Sequence, residues 1–482
     1  MKTKFIFTLA AVACSSLSCH KAIDLNSPTA LPPARFYNTE SDVKYAVIGV
    51  YSLLRTNYSR YHLLGEMPSD NVETRGESES GAGVWDKLSW TAYTTNFEDI
   101  WINYYNTIAQ CNLILSKIDA VKFLNASTKA QYAAELKFIR ALMYFELVHF
   151  FGEVPIVAEP ITSDQQAAAA IRKPVAEVYA QVEKDLTDAE EGLLHAYTSD
   201  ADLGRVTSTA AKALLGKVYS YQKKYRQAEA KLSEVVNNRT CGLMPNPGDV
   251  FSITNEYNRE VIFTVQYSRV VAGVGEGSPF AVAFTPENSG IIPISGNSLN
   301  IGTLDLYRLF KSGDKRKDLI GVLRRGNPPP IDSTDHFNFY FCTKKFMDNP
   351  PTAADGENNW IVIRYADVLL LYAEAMNEQG KSVLALNEVN KIRVRAGASI
   401  LPTTLDQDKT RDAIKLERRL ELCFEGHRWP DLVRWGDHLT VMNSFKTKYG
   451  VTAMLPNDYD NLFPIPNRER IINPALTQNP GY

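Results

Sequence analysis

Apolar residues recur at helical spacing through most of the chain. Between Ser41 and Leu54 they fall at Val43, Ala46, Val47, Val50 and Leu54, which predicts a helix with Ser41 as its N-cap. Longer runs of the same period predict helices over Phe97–Ile118 and Ala130–Phe150, the second closed by Gly152 and Pro155. Pro174 suits the first turn of another helix, reaching about Leu194. Leu215, Gly216, Tyr219, Ala228 and Leu232 then stand at the offsets of a tetratricopeptide-type helix pair, in which small residues let two antiparallel helices approach. Ala373, Met376, Ala385, Val389 and Ile392 repeat those offsets between Arg364 and Ala396, and Ala141 with Tyr144 matches half of another unit. The units are not adjacent, so insertions separate them and a regular solenoid is excluded.

The pattern changes between about Cys241 and Trp360. Here Gly, Pro, Ser and Asn cluster, as in Pro245-Asn246-Pro247-Gly248 and Pro328-Pro329-Pro330, with short alternating runs at Val261–Tyr267 and Phe337–Phe341. Residues Asn57–Tyr93 are similarly irregular and aromatic. The fold class expected is all-α, or mainly α, with tetratricopeptide-like helix pairs, long irregular loop insertions and a few short strands.

The first residues read as an export signal. Lys2 and Lys4 precede an apolar stretch, Phe5–Ala13, too short to cross a bilayer as a helix. Ser16-Leu17-Ser18-Cys19 follows, and a cysteine after small residues suits cleavage and acylation of the new N-terminus. Cys14 is the rival position. Cys19 is preferred because a polar tether begins directly after it. Each buried methylene of an acyl chain contributes roughly 0.8 kcal/mol, so several chains anchor stably. The expected layout is a signal at 1–18 and one domain at 19–482. Within it come a tether at 19–38, a helical part to about 240, the loop-rich insertion at about 241–360, and a C-terminal helical part and tail.

Composition narrows the chemistry. The 482 residues carry a net charge of −3 with no Lys/Arg block, so no nucleic-acid partner is expected. The remaining cysteines, Cys111, Cys241, Cys342 and Cys423, are scattered, and neither they nor the seven histidines form a metal-ligand spacing. No metal and no cofactor are expected. Gly273-Val274-Gly275-Glu276-Gly277 lacks the third glycine at the offset of a nucleotide fingerprint, and the helix that must follow it. Aromatics make up 11% of the chain, enough to fill a core and leave rings for flat ligands.

The densest chemistry lies in Glu417–Gly436. Glu417, Glu421 and Glu425 repeat every four residues and so share one helix face. Two such carboxylates could serve a glycosidase. Abundant Arg nearby (Arg418, Arg419, Arg428, Arg434, with Arg364, Arg393 and Arg395) favours an ion-pair scaffold instead, because guanidinium groups suit buried carboxylates.

Five ordered segments carry a family resemblance. Trp101–Leu115 resembles a W-x-x-x-Y-x-x-I-x-x-x-N helix, and Glu135–Pro155 resembles E-x-x-F-L-R-A-x-x-Y-F-x-L-x-x-x-x-G-x-V-P, with Ile139 in place of the usual leucine. Arg364–Gly397, Glu417–Gly436 and Phe463–Tyr482 complete the set. Together they resemble the SusD/RagB family of outer-membrane nutrient-binding lipoproteins. The resemblance implies a surface lid on a SusC-like TonB-dependent outer-membrane transporter that captures oligosaccharide without cleaving it. A peptide-capturing RagB-like lid is the alternative, and a glycoside hydrolase a more distant one. It also implies that the ligand face draws on the N-terminal loops and the central insertion. A pyranose asks for a flat ring flanked by polar groups. The candidate ligand-binding residues are therefore Asp70, Asn71, Arg75, Trp85, Trp90, Tyr257, Tyr267 and Asn288, with Phe284 and Asn297 behind them. Trp101, Trp429 and His149 read as core residues.

Overall fold

A computed structural model of the chain describes residues 37–75, 81, 83–269, 275–324, 338–450 and 456–482. The proposed signal, Cys14, Cys19 and nearly all of the tether lie outside the described residues.

The N-terminal helices bury their apolar stripes against one another. Helix α1 (Glu40–Tyr58) is opened by Thr39, which accepts from the Asp42 amide while the Asp42 carboxylate accepts from the Thr39 amide. The cap is thus two residues earlier than Ser41, because Asp42 completes a capping box that Ser41 lacks. Helices α2 (Thr95–Ile118) and α3 (Ala126–Phe151) follow, and Gly152 ends α3 at φ 72°. Helix α4 (Val175–Gly192) begins directly after Pro174 and packs along α3, forming the third helix pair.

Helices α5 (Ser208–Tyr221) and α6 (Tyr225–Val236) form the best-defined pair. A Cβ at Gly216 would come within 2.5 Å of the Leu232 side chain, so the missing side chain sets how closely the two helices approach. Helices α7 (Tyr365–Asn377) and α8 (Ser382–Ala396) repeat the arrangement, and α7 also packs on α6. Helices α9 (Gln407–Glu421), α10 (Arg428–Trp435) and α11 (His438–Lys448) close the helical frame. No described helix is long and apolar enough to cross a membrane.

The strands are short. Strands β1 (Val72–Glu73), β5 (Ile301–Gly302), β7 (Phe339–Thr343) and β6 (Ile320–Arg324) form one sheet in that order, all neighbouring pairs antiparallel. Strands β2 (Val154–Pro155) and β3 (Arg172–Lys173) make a small ribbon between α3 and α4. Strand β4 (Val261–Val265) pairs with β8 (Trp360–Arg364), with register shifts on either side of Phe263. The described parts of the central insertion therefore carry more regular structure than their Gly/Pro content predicts. Its rings Phe280, Phe284, Phe346 and Trp360 pack on one another and join the helical core.

Candidate functional site

The charged C-terminal cluster is a buried ion-pair lattice. Glu417 and Glu421 lie on the inner face of α9, where an ordinary amphipathic helix would be apolar. Arg316 and Arg393 each reach Glu417 at 2.6 Å. Arg364 donates to Glu421 at 2.7 Å, to Glu260 at 3.0 Å and to Glu425 at 2.6 Å. Arg395 also pairs with Glu421 and Glu260, and Lys345 with Glu425. Burial by itself raises the Glu421 carboxyl, but Arg395, Arg364 and Arg316 hold it well below the usual carboxylate range. Glu425 is not on the helix face: α9 ends at Glu421, Phe424 turns back at φ 70°, and Glu425 enters the lattice from the turn. A glycosidase acid needs a raised pKa and contact with its substrate. Glu421 and Glu425 have lowered pKa values, and all three glutamates are buried.

The same logic removes most of the candidate ligand contacts. Asp70 is buried, with Arg428 donating to both its carboxylate oxygens at 2.8 and 3.0 Å and Arg419 at 3.0 Å. Burial opposes its ionisation, but the two guanidinium groups bring it down to about 2. Asn71 is fully buried between Glu66 and Arg419. These two polar residues tie the N-terminal loop to α9 and α10. Trp85 is 0% exposed, its ring boxed by Trp90, Phe97 and Phe463 at centroid distances of 5.9, 4.7 and 5.4 Å. Trp90 is buried too, donating from its indole nitrogen to the Tyr482 hydroxyl at 2.7 Å. Tyr267 is buried, with its hydroxyl on the Arg55 carbonyl, and Phe284 is covered by Phe280 and Phe346. None of these rings has a free face. Within the irregular 57–93 segment, residues 61–72 are all buried, as are Trp85, Leu88 and Trp90.

Arg75 and Asn288 fall in one loop cluster. The Arg75 amide donates to the Ser298 carbonyl at 3.0 Å, and its side chain donates to the Phe339 carbonyl at 2.8 Å while lying over the Tyr340 ring. The amide of Glu287 donates to the Ser298 hydroxyl, and that of Asn288 to the Ser295 hydroxyl. Asn288 is exposed at φ 49°, a left-handed conformation that asparagine tolerates. Arg75 is mostly covered, so its guanidinium positions the loop and Asn288 presents the accessible amide. Glu73, the last residue of β1, also engages Arg75.

Tyr257 lies elsewhere, in a cleft of about 240 Å³ beside β4. The floor includes four successive β4 residues, Val261 to Thr264, and one wall is the segment joining α4 to α5. The turn before β4 sets the geometry. Asn258 points inward, its amide on the carbonyls of Val250 and Asn255, so Tyr257 and Arg259 on either side of it reach the cleft. Tyr257 is 49% exposed, and its hydroxyl donates to Gln266 Oε1 at 3.1 Å. Sequence reasoning missed Arg259, Tyr197 and Arg205, which also line the cleft. The alternation Tyr257-x-Arg259 ahead of an apolar strand was the available signal.

Two family models match the chain. One, described as "SusD family", covers residues 320–482, and the other, described as "Starch-binding associating with outer membrane", covers residues 23–220. A SusD-like protein of Formosa agariphila is 28% identical over the full length of both chains. The starch-binding protein SusD of Bacteroides thetaiotaomicron is 23% identical over 86% of this chain and 84% of its own. Among solved structures, a laminarin-binding SusD-like protein is 28% identical with a TM-score of 0.79, covering 92% of this chain and 100% of the other. A SusD homologue from Bacteroides thetaiotaomicron shares the fold at a TM-score of 0.82 and 23% identity, over 93% of this chain and 98% of the other. The matches at both ends, the full-length relative and the shared mainly α fold agree: the chain belongs to the SusD family.

Proposed function

We propose that the protein is a surface-exposed outer-membrane lipoprotein that binds glycans and acts as the lid of a SusC-like TonB-dependent transporter. The observation that carries glycan binding is the likeness, along nearly the whole chain, to a solved laminarin-binding protein. The described geometry supports capture without cleavage, since the candidate catalytic carboxylates of the sequence are all engaged by Arg or Lys. Ligand contacts fall at Asn288, positioned by Arg75, and at Tyr257, which with Asn297 are the candidate residues that remain exposed. The anchor is Cys19, and loaded glycan passes from the lid to the barrel.

Affinity electrophoresis of the mature chain in gels containing laminarin, starch or other polysaccharides tests the reading. Retardation by at least one glycan, with no release of reducing ends, is the expected result. Migration unaffected by every glycan, together with saturable binding of oligopeptides, would replace it with peptide capture.

A further inference from the structure

Charge is distributed unevenly around the cleft beside β4. Among the described residues no aspartate or glutamate lines it, whereas Arg205, Arg259 and His195 do. Arg205 is neutralised: its guanidinium grips Glu135 at 2.7 and 3.1 Å and reaches Asp202 at 3.3 Å. Arg259 has no carboxylate partner among the described residues. Its guanidinium makes one long hydrogen bond, 3.3 Å, to the Cys241 carbonyl. It lies flat against the backbone of Gly242, where an added Cβ would come within 2.3 Å of Arg259 Nη2. The Gly242 amide in turn donates to the Arg259 carbonyl at 3.0 Å. This guanidinium is therefore exposed at the cleft wall, with most of its donors free of described protein acceptors.

Tyr257 stands two residues away with its ring half-exposed and its hydroxyl fixed on Gln266. A flat ring and a bidentate cation on one wall match two features of an acidic sugar, its C–H face and its anionic oxygens. The volume is below the 300–1,000 Å³ usual for drug-sized ligands, which suits a single ring. We infer that this cleft binds one anionic sugar residue, a uronate or a sulfate ester, stacked on Tyr257 and paired with Arg259. The inference rests on the glycan-binding reading and specifies charge where that reading leaves the sugar open.

The experiment measures binding of the mature chain by calorimetry to three matched sets. These are oligogalacturonides and their carboxyl-reduced forms, sulfated galactan oligosaccharides and their desulfated forms, and neutral laminarin oligosaccharides. One acidic set is expected to bind at least about tenfold more tightly than its neutralised form, and Arg259→Gln to remove that margin while leaving neutral ligands unchanged. Arg259→Lys retains part of it, and Tyr257→Ala weakens acidic and neutral forms alike. Whichever acidic set shows the margin identifies carboxylate or sulfate as the recognised group. Equal affinity for acidic and neutral sugars overturns the inference and leaves glycan binding intact. Equal affinity for polyglutamate also overturns it, since charge alone would then suffice. Failure to bind any saccharide overturns both.

Discussion

Arg364 is the residue on which the C-terminal lattice converges. It is almost fully buried and bonded to Glu260, Glu421 and Glu425. Removing one member of such a lattice leaves its partners charged in a low-dielectric interior, which typically costs about 3–5 kcal/mol. Arg364→Met is expected to lower the unfolding free energy by that order, read as a lower denaturant midpoint at unchanged slope, and an unchanged midpoint would show the carboxylates to be solvated. Glu146 presents the opposite electrostatics. Burial pushes it up to about 7, opposed by Lys217 and by hydrogen bonds from Tyr58 and Tyr61, both at 3.0 Å. The folded protein therefore holds this proton more tightly than the unfolded chain, whose carboxyl titrates near 4.5. Stability from this group is complete below about pH 4.5 and lost as pH rises through about 7. Relative to Glu146→Gln, the native protein should lose roughly 3 kcal/mol across that window. A difference in unfolding free energy that stays flat with pH would refute the buried, protonated state. The sequence distinguishes these residues poorly, because Glu135, Glu146 and Glu425 look alike until their neighbours are known.

Helices and strands differ in how visibly they are encoded. A 3.6-residue period repeats five or more times in α1 and α2, whereas α3 is buried on nearly every side from Ala134 to Phe151; the boundaries of all three fall within a few residues of the predicted ones. Strands β1 and β5 are two residues each, too short for alternation to register. Strand β8 is an uninterrupted apolar run, Trp360-Ile361-Val362-Ile363, continuous with α7, so pattern alone merges strand and helix. The aromatic loops misled for a related reason. A tryptophan among Gly, Ser and Asn reads as exposed, yet Trp85 closes a cluster assembled from residues as distant as Phe463. Two glycines separate packing from propensity at this scale. Gly216 in α5 faces Leu232, whereas a Cβ at Gly49 in α1 would meet no atom within 4 Å. Gly216→Val should destabilise by about 1–3 kcal/mol through overpacking. Gly49→Ala should stabilise by about 0.5–1 kcal/mol through helix propensity alone. Similar shifts for both substitutions would mean that the α5–α6 approach does not depend on the missing side chain.

At the scale of the whole molecule, the helical frame and the proposed anchor meet at the chain's entry into α1. Twenty-one residues, Cys19 to Thr39, precede that helix, and fully extended they span at most about 75 Å. In the proposed lid such a tether would let the body reach its barrel, while the entry point stays fixed by the Thr39–Asp42 capping box and by the bridge between Thr39 and Lys122. Anchoring and folding should therefore be separable. Cys19→Ser is expected to abolish palmitate labelling and move the protein out of the membrane fraction, with its thermal transition and glycan retardation unchanged. Cys14→Ser should leave labelling intact. Labelling lost in Cys14→Ser but kept in Cys19→Ser would relocate the anchor and add five residues to the tether. Loss of the fold in Cys19→Ser would mean that the leader contributes to the core, which an entry helix capped by its own Thr39 does not require.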